Sequence, residues 1–512
     1  MKRSGVLRHR LRTVLESGFL IPKQYSLAVL WLAMIAFAGG GFITVDSINL
    51  VTNAPTNYRW EPGSADTGGW MTSWHDIGTV PGQSPDGSVV HAYTKTWNSG
   101  WINAFEHVTS DTPGRPMIDG FTLWDSYRSR YLFAGVEYQT VGNSIWLHFS
   151  TDSSGGASWS TPVKAMPGSL LGPIAWDFPS VAVNVGTGRI VVGASQLTQN
   201  NSGYWTSYSD DGGVTWNGPF PVNGMTGGAT SRIVWSTSGY HAFIQETSDP
   251  ANWVLMHWQS PDGQNWTRQA DVATYGMPAF SSPENVVSGN PSGQLSYAAT
   301  PDAVSSSSLG WVVAYPVNIG GRNAINVSTE LAGGVTINYT TDLFNAGITA
   351  SSSGDWYLTY QTFQGGDQVV PVQQNAVYRT PAGAYLGAII QGTIDPSKWF
   401  YYNSNSRCIN SSPCYTPGDF FRPAMNSFSG ATVPIIAGSP NTNDLTQAFI
   451  RDPQSANAPQ FVPTTTPFKT GGNLSNRAIF TNVHLAHIAA QHHKFMTSSM
   501  TYARLLRAGL AN

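Results

Sequence analysis

Five charged residues stand at the entries to β-rich runs of this chain. They are Arg115 before Pro116, Asp177 in Trp176-Asp177-Phe178-Pro179, Arg232 in Ser231-Arg232-Ile233-Val234, Glu284, and Arg422 in Phe421-Arg422-Pro423. Three guanidiniums and two carboxylates in one place could grip an anionic ligand, because the arginine fork meets a carboxylate with two parallel hydrogen bonds. The same five could instead pair with one another and line a channel that holds nothing. Beyond the N-terminal apolar stretch the glutamates are few, namely Glu61, Glu106, Glu137, Glu246, Glu284 and Glu330, so any carboxylate that activates a nucleophile comes from a small set. His484, His487, His492 and His493 lie close together near the C-terminus, but no Asp, Glu or Cys accompanies them in 475–512, so no metal site and no cofactor is expected. Cys408 and Cys414 bracket the short loop CINSSPC and suit a local disulfide, two buried thiols being the alternative.

A second group of residues does structural chemistry. Ser209-Asp210-Asp211-Gly212-Gly213-Val214-Thr215-Trp216 fits the pattern Ser-x-Asp-x-Gly-x-Thr-Trp at every defined position. In such a turn the Asp accepts hydrogen bonds from backbone N–H groups, the Gly supplies a positive φ, and the Trp packs between sheets. A shortened copy runs from Ser260 through Asp262 and Gly263 to Trp266, and an expanded one from Ser150 through Asp152 and Gly156 to Trp159.

These turns belong to a larger repeat. A β-rich run, a tight turn and a second β-rich run recur about seven times, at intervals mostly of about 50 to 60 residues, which suits one four-stranded blade per repeat. The turns are Asp86-Gly87, Thr187-Gly188, Ser238-Gly239, Ser292-Gly293, Ser353-Gly354 and Ser429-Gly430, with Ser129-Arg130 filling the gap between the first two. An all-β fold follows, with the blade-like hairpins spread over 71–455. The charged residues at the inner-strand entries then point toward a common axis.

On the three Ser-x-Asp turns in register with these hairpins, the chain resembles the sialidase-like, Asp-box (BNR-repeat) β-propeller superfamily. The resemblance implies that the box joins the outer strands of a blade, away from the axis, so that it marks fold and not chemistry. It also implies what an enzyme of this kind needs: three arginines clamping the substrate carboxylate, a Tyr activated by a Glu, and an Asp as acid/base. The family's opening Arg-Ile-Pro motif is missing from the first repeat here, and the nearest imitation is Tyr378-Arg379-Thr380-Pro381. Seven hairpins predict seven blades, with six, the sialidase number, as the alternative. Seven-bladed relatives with such turns include photosystem-assembly propellers, which are exported scaffolds without hydrolytic activity.

Composition agrees with many short strands: 11% of residues are charged, 12% are aromatic, 19 are Trp and 53 are Gly. A net charge of -3 leaves no basic excess to neutralise phosphates, so nucleic acid is not an expected partner. Residues 1–24 form a basic leader with Lys2, Arg3, Arg8, Arg10, Arg12 and Lys23 against Glu16, followed by the uncharged run 25–45. That run can span a bilayer once with the leader in the cytoplasm, or act as a signal segment cleaved after Ala36-Phe37-Ala38. Either way the remainder is exported. Residues 46–70 read as an extended linker, 456–474 as a second linker, and 475–512 as a helical extension capped at Asn473 or Ser475. The expected function is a non-catalytic extracytoplasmic scaffold or recognition subunit that meets a protein partner at a membrane surface, the C-terminal helix being a docking element. A sialidase-like glycoside hydrolase or anionic-glycan-binding module using the axial cluster is the alternative.

Overall fold

A computed structural model of the chain describes residues 44–451 apart from connecting segments, the longest being 78–87, 276–293 and 403–413, and describes side chains within 117–390 and at 422–424. Every described element is a strand or a turn, and no helix occurs among the described residues. Seven antiparallel sheets of four or more strands follow one another along the chain. The first holds Tyr58–Asp66, Trp70–Ile77, Ser88–Thr94 and Ile102–Val108, and the second Met117–Asp125, Arg130–Glu137, Ile145–Phe149 and Val163–Met166. The third holds Trp176–Val183, Ile190–Gln196, Gly203–Ser209 and Asn217–Pro221. In the fourth, Gly228–Ser236, Gly239–Glu246 and Trp253–Ser260 are completed by the short strands Thr267–Arg268 and Ala273–Tyr275, both on the third strand. The fifth comprises Asp302–Ser306, Gly310–Ile319, Arg322–Thr329 and Val335–Ile337, and the sixth Leu343–Ala350, Trp356–Phe363, Val372–Arg379 and Tyr385–Ile394. The seventh combines Ala424–Asn426, Gly430–Gly438 and Asn443–Arg451 with the N-terminal strand Thr44–Thr52 as its outer member. A small sheet of Gln294–Leu295, Phe400–Tyr402 and Cys414–Thr416 stands apart from this series.

The first strands of the seven sheets touch in cyclic order, the seventh returning to the first. This is a β-propeller. Its core is divided accordingly, one apolar cluster between each described pair of neighbouring sheets. Leu132 and Ile145 of the second sheet meet Trp176 and Ile190 of the third, and Val191 and Tyr204 of the third meet Ile244 and Met256 of the fourth. The series continues with Phe243 and Leu255 against Val313 and Tyr315, then Ile325 against Trp356 and Leu358. The third sheet is covered on both faces, and its inner strands Trp176–Val183 and Ile190–Gln196 bury every residue in place of alternating.

Five of the seven first strands share a device that the sequence hides. Register shifts occur between Trp60 and Gly63, Ile118 and Phe121, Asp177 and Ser180, Gly228 and Thr230, and Phe344 and Gly347. In three of these bulges a non-glycine residue takes a left-handed conformation, Asp119 and Phe178 at φ 52° and Asn345 at φ 51°. A bulge re-aims the residues after it, here toward the neighbouring inner strands. The Ile233 N–H of the fourth sheet donates to Ser180 Oγ of the third at 3.0 Å, and Ile348 N–H of the sixth to Asp302 Oδ2 of the fifth at 3.0 Å. Two N–H groups of the inner edges are thereby paired.

Three expectations change. The stretch 46–70, read as a linker, holds two strands, and the propeller starts before residue 71. Strand Thr44–Thr52 pairs with Asn443–Arg451 through shifts at Val45/Ser47 and Leu50/Thr52 that break its alternation, and Tyr58–Asp66 carries Pro62 and Gly63 at its own shift. Asp86-Gly87 lies between the second and third strands of the first sheet, not in its first hairpin. Ser292-Gly293 falls outside the described residues, and the first hairpin of the fifth sheet is closed by residues 307–309 before Gly310 at φ 70°. Residues 1–24, nearly all of 25–45, and 456–512 also lie outside the described residues. Among those described, no helix is long and apolar enough to cross a membrane.

Candidate functional site

The Ser209–Trp216 turn joins the third and fourth strands of the third sheet, at the outer side of the sheet. Asp211 organises it. Its Oδ1 accepts Ser209 Oγ–H at 2.8 Å, Val214 N–H at 3.0 Å and Thr215 N–H at 2.9 Å, while Oδ2 accepts Thr215 Oγ1–H at 2.6 Å. The Thr215 hydroxyl and amide, with the Ser209 hydroxyl, hold this carboxyl well below the ordinary carboxylate range although it faces solvent. Gly213 N–H donates to Ser209 Oγ, and at φ 96° a Cβ on Gly213 would fall into the Phe149 ring of the second sheet. Trp216 is half-buried, donates to Gly213 O at 3.0 Å, and packs on the cluster between the second and third sheets.

The Ser260–Trp266 turn repeats this geometry one sheet later. Ser260 Oγ–H, Gln264 N–H and Asn265 N–H converge on Asp262 Oδ1 at 2.8–2.9 Å. Burial alone would raise the Asp262 carboxyl, but the Asn265 and Gln264 amides and the Ser260 hydroxyl bring it down to about 2. Trp266 is 6% exposed and reaches across to the third sheet, its Nε1–H donating to Thr206 Oγ1 at 3.1 Å. In the expanded copy Asp152 lies outside the described residues, while Trp159 bridges to Ser150 and packs on Met117, Phe133 and Trp146. Each of these two turns is also clasped by the first hairpin of the preceding sheet: Arg130 Nη2–H donates to Gly212 O at 2.5 Å, and Arg189 Nη1–H to Asp262 O at 2.9 Å.

Near the axis, two of the five expected charges meet. Arg232 on the fourth sheet and Arg422 before the seventh converge on Asp302, at 3.3 Å and 4.0 Å between each Nε and Oδ1. Both guanidiniums also lie over the Phe121 ring of the second sheet, Arg422 at 4.1 Å and Arg232 at 5.9 Å. Burial lowers the Arg422 pKa, partly offset by Asp302. Asp302 was not among the expected residues. Its signal is the same as theirs, a charge beside Pro301 at the entry to an inner strand. Asp177 is buried in its bulge, where Oδ1 accepts the Phe178 N–H at 2.9 Å. Arg115, Glu284 and Cys408 lie outside the described residues, as does the side chain of Cys414.

A further polar chain runs between the fourth and fifth sheets. Ser238 Oγ–H donates to Glu330 Oε1 at 2.8 Å, the Ser238 and Ser236 hydroxyls each lie 2.9 Å from His241 Nε2, and His241 Nδ1 lies 2.8 Å from His257 Nε2. Such a serine–histidine–histidine order could serve a nucleophile. Here the serine proton is directed at Glu330, and burial pushes His241 down to about 4, which makes it a poor base at neutral pH. Among the described residues no three His, Cys, Asp or Glu side chains come together as metal ligands.

No family model matches the chain, and no curated protein matches it. Similar solved structures exist at low identity. A protein of unknown function from Dyadobacter fermentans DSM 18053 shares 13% identity at TM-score 0.42, over 68% of this chain and 98% of its own. The Hadza microbial sialidase Hz136 shares 12% at TM-score 0.39, over 65% of this chain and 66% of its own. The leech intramolecular trans-sialidase, bound to 2,7-anhydro-Neu5Ac, shares 12% at TM-score 0.41, over 62% of this chain and 67% of its own. At these values they assign no residue of this chain a role.

Proposed function

We propose that this chain is an exported, seven-bladed propeller of the Asp-box, sialidase-like kind, held on the outer face of a membrane, where it acts as a non-catalytic scaffold or recognition subunit for a protein partner. The observation that carries the non-catalytic reading is the place of Asp302. A substrate carboxylate would need the fork of each arginine, and the space between Arg232 and Arg422 is already filled by a carboxylate of the protein, fixed from behind by the Ile348 N–H. Seven successive sheets with cyclic inner contacts support the blade number. The basic leader and the uncharged run 25–45 support attachment to a membrane, and the half-apolar segment 475–512 is the docking element that a scaffold requires.

One observation favours a second reading, an anionic-glycan-binding module. Two guanidiniums face one carboxylate, and the buried Arg422 Nη1 has no hydrogen-bond partner among the described residues. The experiment separates the two. Purified full-length chain is expected to release no sialic acid from α-linked sialosides, and to retain a stoichiometric protein partner that is lost when 475–512 is removed. Turnover or glycan binding abolished by Arg422→Ala would replace the scaffold reading with a site at the axis.

A further inference from the structure

Exposed apolar side chains gather on one face of the propeller. In a four-stranded meander the first and third turns lie at one end and the second at the other. Tyr127 and Val185 sit in first turns, of the second and third sheets, and Val214 and Leu331 in third turns, of the third and fifth. Neighbouring turns confirm the common end: Gly188 lies against the Tyr127 ring, Arg189 bonds Asp262 O, and Ser238 bonds Glu330. Val214 is 73% exposed and Leu331 69%. On the opposite face the one exposed large apolar residue among those described is Ile319, at the end of a second strand.

The described part of the chain begins and ends on this same face. Thr44 pairs with Arg451, the end of the third strand of the seventh sheet, so the chain enters and leaves beside the first and third turns. The uncharged run 25–45 therefore ends where the propeller begins, with no spacer to hold the face away from whatever the run occupies. Among the charges between the apolar tips, Arg189 pairs with Asp210, Arg128 and Arg130 share Asp125, and Asp211 is engaged by the Ser209 and Thr215 hydrogen bonds. A paired charge presents little net field to headgroups, while apolar tips and a tyrosine at an interface gain by leaving water.

We propose that the face bearing Tyr127, Val185, Val214 and Leu331 rests on the lipid surface of the membrane that holds the N-terminal run. This rests on the membrane-attached reading above, and it orients the opposite face, with Ile319, toward the partner or solvent. The test uses the full-length chain in phosphatidylcholine vesicles containing a headgroup-nitroxide lipid, with an environment-sensitive fluorescent amino acid placed at position 214, 331 or 319. Quenching severalfold stronger at 214 and 331 than at 319 is expected. Equal quenching, or the reverse order, overturns the proposal. Probes at 214 and 331 that are shielded in native membranes yet unquenched in pure lipid would give the face to a protein and also overturn it. Alkaline carbonate extraction reports on the underlying reading separately: release of the chain rejects attachment, whereas retention without quenching rejects only the lipid-facing orientation.

Discussion

Asp302 shows how a single residue decides what two arginines can do. Its carboxylate is buried, meets Arg232 at 3.3 Å, and is held by the Ile348 N–H. Asp302→Asn keeps the shape but removes the charge that faces Arg232 and Arg422, and a loss of about 3–5 kcal/mol in urea unfolding is expected. A loss under about 1 kcal/mol would mean that solvent or a ligand compensates the arginines, which would favour the binding reading. The His241–His257 pair carries a pH dependence. Burial pushes both below the ordinary histidine value to about 4, with mutual repulsion adding to His257 and Glu330 opposing. A depressed folded pKa means that the unfolded chain takes up protons first. Stability is thus complete above about pH 6.5 and falls as pH drops toward 4, by on the order of 3 kcal/mol for each histidine. Asp211 and Asp262, whose values are lowered from the carboxylate range, act only at the acid end of that window or below it. Urea midpoints of wild type and His257→Gln between pH 7.5 and 4.5 measure the effect. An equal slope in both would remove the histidines as its source.

At the scale of elements, the Ser-x-Asp turns hold their own conformation and join sheets. Trp266 is the deeper of the two tryptophans and bonds into the third sheet, whereas Trp216 is half-buried. Trp266→Ala should cost about 3–5 kcal/mol, and Trp216→Ala distinctly less. The opposite ranking in denaturant unfolding would contradict the packing described. Arg189→Lys should cost about 1 kcal/mol, since lysine cannot both fork onto Asp210 and reach Asp262 O. The turns were legible because their chemistry is local: Ser209, Asp211, Gly213 and Thr215 bond one another within a few residues. Most first hairpins were legible for the same reason, as at Gly188, Gly239 and Gly354, where a tight turn demands positive φ. What stayed hidden depends on distant partners. The strand Thr44–Thr52 exists through pairing with residues about 400 positions later, and its two register shifts erase the period-two signal. Tyr58–Asp66 is masked by Pro62, tolerated because it falls at a bulge of an inner edge strand. The meeting of Arg232 and Arg422 on Asp302 likewise depends on ring closure, which brings the fourth, fifth and seventh sheets together.

At the scale of the molecule, a ring of sheets closes only if its two ends are fastened. Here the fastening is the seventh sheet, built from the last three strands and the N-terminal strand, with Thr44 opposite Arg451 and Thr52 opposite Leu445. Without Thr44–Thr52 the strand Asn443–Arg451 would present a row of unpaired N–H and C=O groups, which invites pairing with another chain. The closure also sets the neighbours of the first sheet, because Tyr58–Asp66 touches the seventh sheet on one side and the second on the other. Excising residues 44–52, with 43 joined to 53, is therefore expected to lower the urea midpoint, broaden the transition and produce oligomers in size-exclusion chromatography. Removing 475–512 should do none of these, since the described sheets carry their core without it. A synthetic peptide of residues 44–52 added to the excised protein should restore the monomer by strand addition, which a general loss of stability would not allow. A monomeric excised chain with an unchanged midpoint would show that the ring closes by other contacts.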